Sequence, residues 1–388
     1  MRIAIFTDTY KPQVNGVVTV VETLKEGLEK RGHEVFIFTV SHPGAVKEKN
    51  VFRLKSVKFS GDPQHRIGIF PDPRVIVKLK SNRIDVVHTH TPFVVGYTGV
   101  LYAKFLKIPL VHTYHTHFEE YVHYMGLLRI FLRKPLIRKM GKFFCDLHDI
   151  VVAPSVKIEK ILKSYGVRVP IVHVPNGIDL SPFWDFEGDL ESFKERFGIK
   201  DEKIVLFVGR LGKEKNVGKV IENFKKVKDE LKNVKLLLVG DGPERENLEE
   251  LSERLNLKDS VVFTGYLKWP EEVSMAYHVS DIFVSASKSE VHPITFIEAI
   301  ASGLPVVAFK DPSLEGVVED GVNGFLFENE NDLHKGIVKV LRDEDLRKDF
   351  SRKSKEISLD FSMDRFVENM EELYSSLNPV PALRNFSE

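Results

Sequence analysis

The feature that most constrains this chain is a repeated unit: a short, continuously apolar strand, a turn, then an amphipathic helix. Arg2–Phe6 (RIAIF) opens it, Val17–Arg31 reads as the first helix and stops at Gly32, and Glu34–Val40 (EVFIFTV) is the next strand. Ile84–His88, Leu110–Tyr114 and Asp149–Ala153 continue the series. Strands apolar on both faces and separated by helices predict a parallel sheet covered on both sides. Pro170–Trp184 (PIVHVPNGIDLSPFW) breaks the rhythm and reads as a linker. A second cycle then runs through Lys203–Gly209, Lys235–Val239, Val261–Thr264, Asp281–Ser285, Pro305–Ala308 and Gly324–Phe327, with helices that include Gly218–Lys232 and Pro243–Leu255. The expected fold is α/β: two Rossmann-like, doubly wound domains, residues 1–178 and 179–360, facing across a cleft. The terminal stretch 361–388, helical over Met363–Leu377, is expected to pack back on the first domain. In such sheets ligands sit beyond the carboxyl ends of the strands, so both walls of the cleft would carry binding loops.

Composition narrows the partners. Lys+Arg and Asp+Glu number 56 each in 388 residues, so no overall field draws the chain to nucleic acid, and any attraction to an anionic membrane must be local. The single cysteine, Cys145, excludes an internal disulfide framework and suits a reducing compartment. The start, MRIAIFTDTY, lacks the basic and apolar regions of a signal peptide, and no later apolar run is long enough to span a bilayer. The expected location is cytoplasmic, touching the inner face of the cell membrane from one side.

Three loops at strand ends carry chemistry. In Tyr10–Val17 (YKPQVNGV), Asn15-Gly16 turns the backbone at a helix N-terminus, where amides and the helix dipole suit a phosphate or a hydroxyl. An ordinary βα turn would look the same, and the absence of G-x-G-x-x-G argues against a dinucleotide cofactor. Val208–Asn216 (VGRLGKEKN) projects Arg210 and Lys215 from a strand end, where two cations can clamp a diphosphate; the rival is a solvated charge run. Glu290–Glu298 (EVHPITFIE) places one acid in a loop and the second a turn inside the next helix, fit for ribose hydroxyls and, through the loop amides, phosphate. Either Glu alone is more often a cap or a surface residue.

Together these pieces resemble the large retaining glycosyltransferase family of GT-B fold, family four, glycosyl transferases group 1. The matching motifs are the Asn15-Gly16 turn, NGID at 176–179, GRL and EKN within 209–216, GDGP at 240–243, the E-x7-E pair and the closing SGLPVV. They span nearly the whole chain in family order. The resemblance implies that Gly16 approaches the donor, Arg210 and Lys215 hold its diphosphate, and Glu298 binds the ribose. It implies that Tyr266, in the Thr264–Leu267 loop, lies near the base, that Glu290 faces the sugar hydroxyls, and that the amides of Ile294 and Thr295 meet phosphate and sugar. His115 in LVHTYHTH matches the active-site histidine, and Asn15 and His90 fall on the acceptor side. One departure stands out: His292-Pro293 replaces the usual Phe-Gly or Gln-Gly, which removes one backbone donor and leaves donor preference open.

A zinc site at His112, His115, His117 and His123 is the rival for that region, but no cysteine or paired carboxylate completes it. Asp343-Glu344-Asp345 reads as solvated surface and not as a metal motif. No cofactor and no metal are therefore expected, and the nucleotide sugar enters as substrate.

For the acceptor, Gly126–Phe144 (GLLRIFLRKPLIRKMGKFF) carries six cations and no acid. Arg129, Arg133, Arg138 and Lys142 recur at helical spacing, opposite Leu128, Ile130, Phe131, Leu136, Ile137 and Phe144, with Pro135 dividing two short helices. A basic face beside an apolar one suits an anionic lipid surface, and a core-packed helix with a solvated cationic side is the alternative. The opening DTYKPQVNGVVTVV, the run HTHTPFVVG at 88–96 and Thr295-Phe296-Ile297-Glu298 are most similar to the diacylglycerol glucosyltransferase branch. That branch moves a hexose from a UDP-sugar to diacylglycerol with retention of the α configuration. Other branches glycosylate phosphatidylinositol or soluble sugars. A UDP-sugar 2-epimerase and a catalytically silent binding protein are the readings from other classes.

Overall fold

The computed structural model describes residues 1–377 except 14, 59–65, 116–133, 185, 187, 289 and 292. The chain divides into two compact units, one of Met1–Ile178 with the segment from Met363 onward, the other Asp179–Ser362. Both are parallel α/β units.

The first unit contains β1 (Arg2–Phe6), β2 (Glu34–Val40), β3 (Val51–Leu54), a hairpin of β4 (Ser56–Lys58) and β5 (Arg66–Gly68), then β6 (Val86–Thr89), β7 (Leu110–Thr113), β8 (Ile150–Ala153) and β9 (Ile171–His173). Its seven-stranded sheet has the order β3-β2-β1-β6-β7-β8-β9. Every pair is parallel, with Ile5 beside Ile37 on one edge of β1 and His88 on the other. The predicted strands stand within two residues of these bounds. The expected linker is corrected: Ile171–His173 adds the edge strand and Ser181–Trp184 is a helical turn, so only the stretch between them is irregular. Short edge strands such as IVH are too brief for a periodic pattern to reveal.

Asn15 caps the helix Gly16–Lys30, accepting from the amides of Val17 and Val18. That helix buries Val18, Val21, Leu24 and Leu28. At Gly27 a Cβ would come within 2.4 Å of Val367 Cγ2, so glycine lets the helix Met363–Leu377 lie close against it. Ala there would overpack this contact, at about 1–3 kcal/mol. Arg31 and His33 pair with Glu371 of the same terminal helix, and Met363 donates to the carbonyl of Ile178.

The second unit holds β10 (Lys203–Val208), β11 (Val234–Val239), β12 (Val261–Gly265), β13 (Ile282–Ser285), β14 (Val306–Phe309) and β15 (Gly324–Phe327), in the order β12-β11-β10-β13-β14-β15, all parallel. Val205, Phe207, Leu236, Leu238 and Val284 pack with Val220, Ile221 and Phe224 of the helix Val217–Glu230 in a continuous core. In each unit the strand order reverses beside a central strand, β1 or β10. Such reversal points, at the carboxyl ends, are where doubly wound sheets open a crevice for ligands.

Candidate active site

In the first unit the crevice between β1 and β6 is built by Asp8, Thr91 and the helix Val94–Leu106. Asp8 Oδ2 accepts from Thr91 Oγ1 at 2.6 Å and Oδ1 from the Val95 amide at 3.0 Å. Burial lifts the Asp8 carboxyl to about 6 despite these donors and the Gly96 amide. The sequence reading missed Asp8, because its partners lie more than eighty residues away and nothing local marks it. Asn15 Oδ1 takes the Val17 and Val18 amides at 3.1 Å each, and its Nδ2 donates to Thr9 Oγ1 at 2.7 Å. The side chain expected on the acceptor side is thus spent on shaping the turn, and two of the helix amides are spent on it.

His90 and His115 meet beyond the ends of β6 and β7, with His90 Nδ1 2.8 Å from His115 Nε2. His88 bridges Tyr374 Oη and Thr113 Oγ1, while His112 and His148 both reach Thr89 Oγ1. Desolvation holds His88, His90 and His112 well below the usual imidazole range and puts His115 at about 3 and His148 at about 4. His115 is therefore a neutral ring. It can act on a ligand only as an uncharged dipole. His117 and His123 lie outside the described residues. Among the described residues no group of three or more His, Cys, Asp or Glu is placed to hold a metal ion. Asp343 caps the helix Glu344–Ser358 through the Leu346 amide.

In the second unit the loop after β10 crosses the one after β11. Leu211 donates to Asp241 O and Glu244 donates to Leu211 O, both at 2.9 Å. A Cβ on Gly240 (φ +122°) would sit 2.1 Å from Gly209 O, which is why this crossing demands glycine. The crossing presents Arg210 outward, exposed, at the end of β10. Asn216, in the left-handed region at φ 53°, starts the helix Val217–Glu230 and turns the preceding Lys215 toward the end of β13. There Lys215 Nζ meets Glu290 Oε1 at 2.5 Å. Next comes Pro293, the cap of the helix Ile294–Ala301; its missing N–H falls at a position that makes no intrahelical bond. The Ile294 and Thr295 amides open that helix, while Phe296 and Ile297 donate back to Pro293 O. His292 lies outside the described residues.

Glu298 departs most from expectation. It is only 3% exposed; Oε1 accepts from Trp269 Nε1 and Oε2 from Tyr277 Oη, each at 2.8 Å. Burial raises its carboxyl to about 7. Both oxygens already hold protein donors, so a ribose would have to use the remaining lone pairs. Sequence reading missed Trp269 and Tyr277, which contact Glu298 from elements 21–29 residues away. Tyr266 follows Gly265 at the end of β12 and is 67% exposed, open to a planar ligand.

The basic segment is corrected in part. Arg129 and Arg133 lie outside the described residues. Within the helix Lys134–Cys145, Pro135 stands in the first turn, and Ile137 and Phe144 point into the core while Leu136 shares the solvent side with the cations. Arg138 lies over the Tyr165 ring and Lys142 pairs with Asp146, so both are drawn onto the protein. The apolar row Leu136, Met140 and Phe143 faces solvent as well, beside the exposed Arg138 and Lys139. No helix among the described residues is long and apolar enough to cross a membrane.

Residues 14–182 match the family described as Glycosyltransferase Family 4, and residues 189–357 match Glycosyl transferases group 1. The chain belongs to this glycosyltransferase family. The glycosyltransferase is 39% identical over 351 residues to the alpha-monoglucosyldiacylglycerol synthase of Streptococcus pneumoniae, covering 88% of this chain and 78% of that one. It is 30% identical to the protein of the same name from Acholeplasma laidlawii, over 97% of each chain. In fold it is similar to sucrose-phosphate synthase from Thermosynechococcus elongatus, with a TM-score of 0.78 and 22% identity over 97% of this chain and 99% of that one. It is also similar to Anabaena HepE in complex with UDP and glucose, at 0.78 and 19% over 97% and 100%. These two likenesses establish the GT-B architecture of the glycosyltransferase: two Rossmann-like units, one per matched family model.

Proposed function

We propose that this glycosyltransferase moves glucose from UDP-glucose to the free hydroxyl of diacylglycerol in a membrane, forming an α-glycosidic bond with retention. The observation that carries the reading is the 39% identity, over most of both chains, to an alpha-monoglucosyldiacylglycerol synthase. The site chemistry supports it. Arg210 and Lys215 supply positive charge at the reversal point of the second sheet, beside the Ile294 and Thr295 amides at a helix start. Together they suit a diphosphate that gathers charge as it leaves. Glu290 and Glu298 take sugar and ribose hydroxyls, and Tyr266 stacks on the base. His115 holds a hydroxyl of the donor sugar. Gly16, at the head of its helix, lets the donor come close to the backbone.

The bond from C1 to the β-phosphate oxygen breaks as the acceptor oxygen attaches to C1 from the same face. The proton of the acceptor hydroxyl passes to the departing phosphate. No metal is required, and the enzyme meets its lipid from one side of the bilayer, at the cytoplasmic face. Incubation with labelled UDP-glucose and diacylglycerol vesicles, followed by NMR of the glycolipid, tests this. An α-glucosyl product is expected. A β-linked product, transfer to a soluble sugar alone, or conversion of UDP-glucose into an epimer would overturn it.

A further inference from the structure

His90, 1% exposed, directly follows β6, and its ring lies nearly parallel to that of His115, centroids 5.0 Å apart and planes 14° from parallel. Its Nδ1 shares a 2.8 Å contact with His115 Nε2, and its Nε2 has no hydrogen-bond partner among the described residues. His88, whose ring centroid is 4.1 Å away, cannot serve it, because both His88 nitrogens are taken by Tyr374 and Thr113. Burial keeps both rings of the pair neutral, so each carries one proton.

Two neutral imidazoles that face each other nitrogen to nitrogen hold one proton between them, and the tautomer of one dictates the other. If His115 Nε2 carried it, the buried His90 Nε2 would be an N–H without an acceptor among the described residues. If His90 Nδ1 carries it, the buried Nε2 is a bare ring nitrogen. Orphaned buried N–H groups are the rarer and more costly arrangement. We infer that His90 is a positioning residue that donates from Nδ1 and locks His115 as the Nδ1–H tautomer. The atom His115 turns to a ligand is then a hydrogen-bond donor. It recognises an oxygen and cannot act as a base, which leaves the acceptor's proton to another group. The tautomer stands on the ring geometry; only its effect on turnover rests on the proposed contact of His115 with the donor sugar.

The test is histidine ¹⁵N NMR of the full-length protein, in which protonated and bare ring nitrogens have distinct shifts. In the wild type, His115 is expected to show a protonated Nδ1 and a bare Nε2; the reverse overturns the inference. His90→Asn keeps an N–H near the Nδ1 position and should preserve the His115 pattern. His90→Asp offers only an acceptor and should reverse it, and an unchanged His115 pattern there overturns the inference too. UDP-glucose hydrolysis should then show kcat about tenfold lower in the Asp variant than in the Asn variant, with KM little changed. A reversed tautomer with equal kcat would uphold the tautomer and remove His115 from contact with the sugar. Should the Asp variant fail to fold, the wild-type spectrum decides alone.

Discussion

Lys215 Nζ stands 2.5 Å from Glu290 Oε1, with both side chains largely shielded from water. The cation expected at the diphosphate and the acid expected at the donor sugar therefore meet as an ion pair, although the sequence places them 75 residues apart. A bound diphosphate would compete with Glu290 for Lys215, so the two residues should respond differently to substitution. Lys215→Ala, like Arg210→Ala, is expected to lower turnover by about two orders of magnitude, the loss of one charge-assisted transition-state contact. In calorimetry, Lys215→Ala should weaken UDP binding, while Glu290→Gln should retain or tighten it because the cation is released. Equal weakening in both would reduce the pair to a structural brace.

Glu298 supplies a stability signature. Its carboxyl is raised from 4.5 to about 7, chiefly by burial. The fold therefore favours the protonated acid: the contribution is complete below about pH 4.5 and is lost as pH rises to about 7. A difference of roughly 2.5 units corresponds to about 3 kcal/mol. Glu298→Gln can keep the network satisfied. Trp269 donates to its carbonyl, its amide donates to Tyr277 Oη, and Tyr277 donates to Thr295 O, which lies 3.0 Å away. The variant should match the wild type in denaturant unfolding near pH 4.5 and exceed it increasingly toward pH 7. Parallel curves would mean that Glu298 is ionised in the fold.

Much of this architecture was legible because parallel strands such as EVFIFTV are apolar on both faces and announce themselves locally. The first glycine of GDGP was equally legible, since the approach of Gly209 O leaves no room for a side chain at Gly240. Glu298 shows what was not. Its place in the motif was readable, but its burial depends on Trp269 and Tyr277, which sequence spacing does not connect to it. The pairing of His90 with His115 is hidden for the same reason: adjacent parallel strands align them across 25 residues. Helix periodicity likewise proposed a cationic face over 134–144 without revealing that Tyr165 and Asp146 engage two of its cations.

The histidines of the first unit predict acid sensitivity. His88, His90, His112, His115 and His148 all titrate below the usual range through desolvation. The unfolded chain takes up these protons near pH 6.5 and the folded one does not, so stability is lost as pH falls below about 6.5. Each histidine adds a slope of about 1.4 kcal/mol per pH unit until its own folded value is reached. For His148 that window runs from about 6.5 down to about 4. His148→Gln should flatten the pH dependence of urea unfolding by about this slope within the window. An unchanged slope would show that His148 already binds its proton in the native state.

The membrane contact is the last expectation, and the structure changes which residues should carry it. Leu136, Met140 and Phe143 are spaced four and three residues apart, on one side of the helix Lys134–Cys145, and Phe143 is 59% exposed. Lys142 already has Asp146 as an ion-pair partner, so it has less charge to offer an anionic leaflet, while Arg138 lies over the Tyr165 ring and stays exposed and charged. Insertion of the apolar row into the headgroup boundary would be nearly insensitive to salt, whereas attraction through exposed cations fades over a Debye length. Changing Leu136, Met140 and Phe143 together to Gln should therefore weaken binding to vesicles containing anionic lipid by about 2 kcal/mol, roughly thirtyfold, at high and low salt alike. Arg138→Gln with Lys142→Gln should cost much less, and only at low salt. Hydrolysis of UDP-glucose in the absence of lipid should be unaffected by either set, because Arg210 and Lys215 belong to the other unit. Should the cation pair weaken vesicle binding more than the apolar triplet does, docking is electrostatic and the apolar row is ordinary surface.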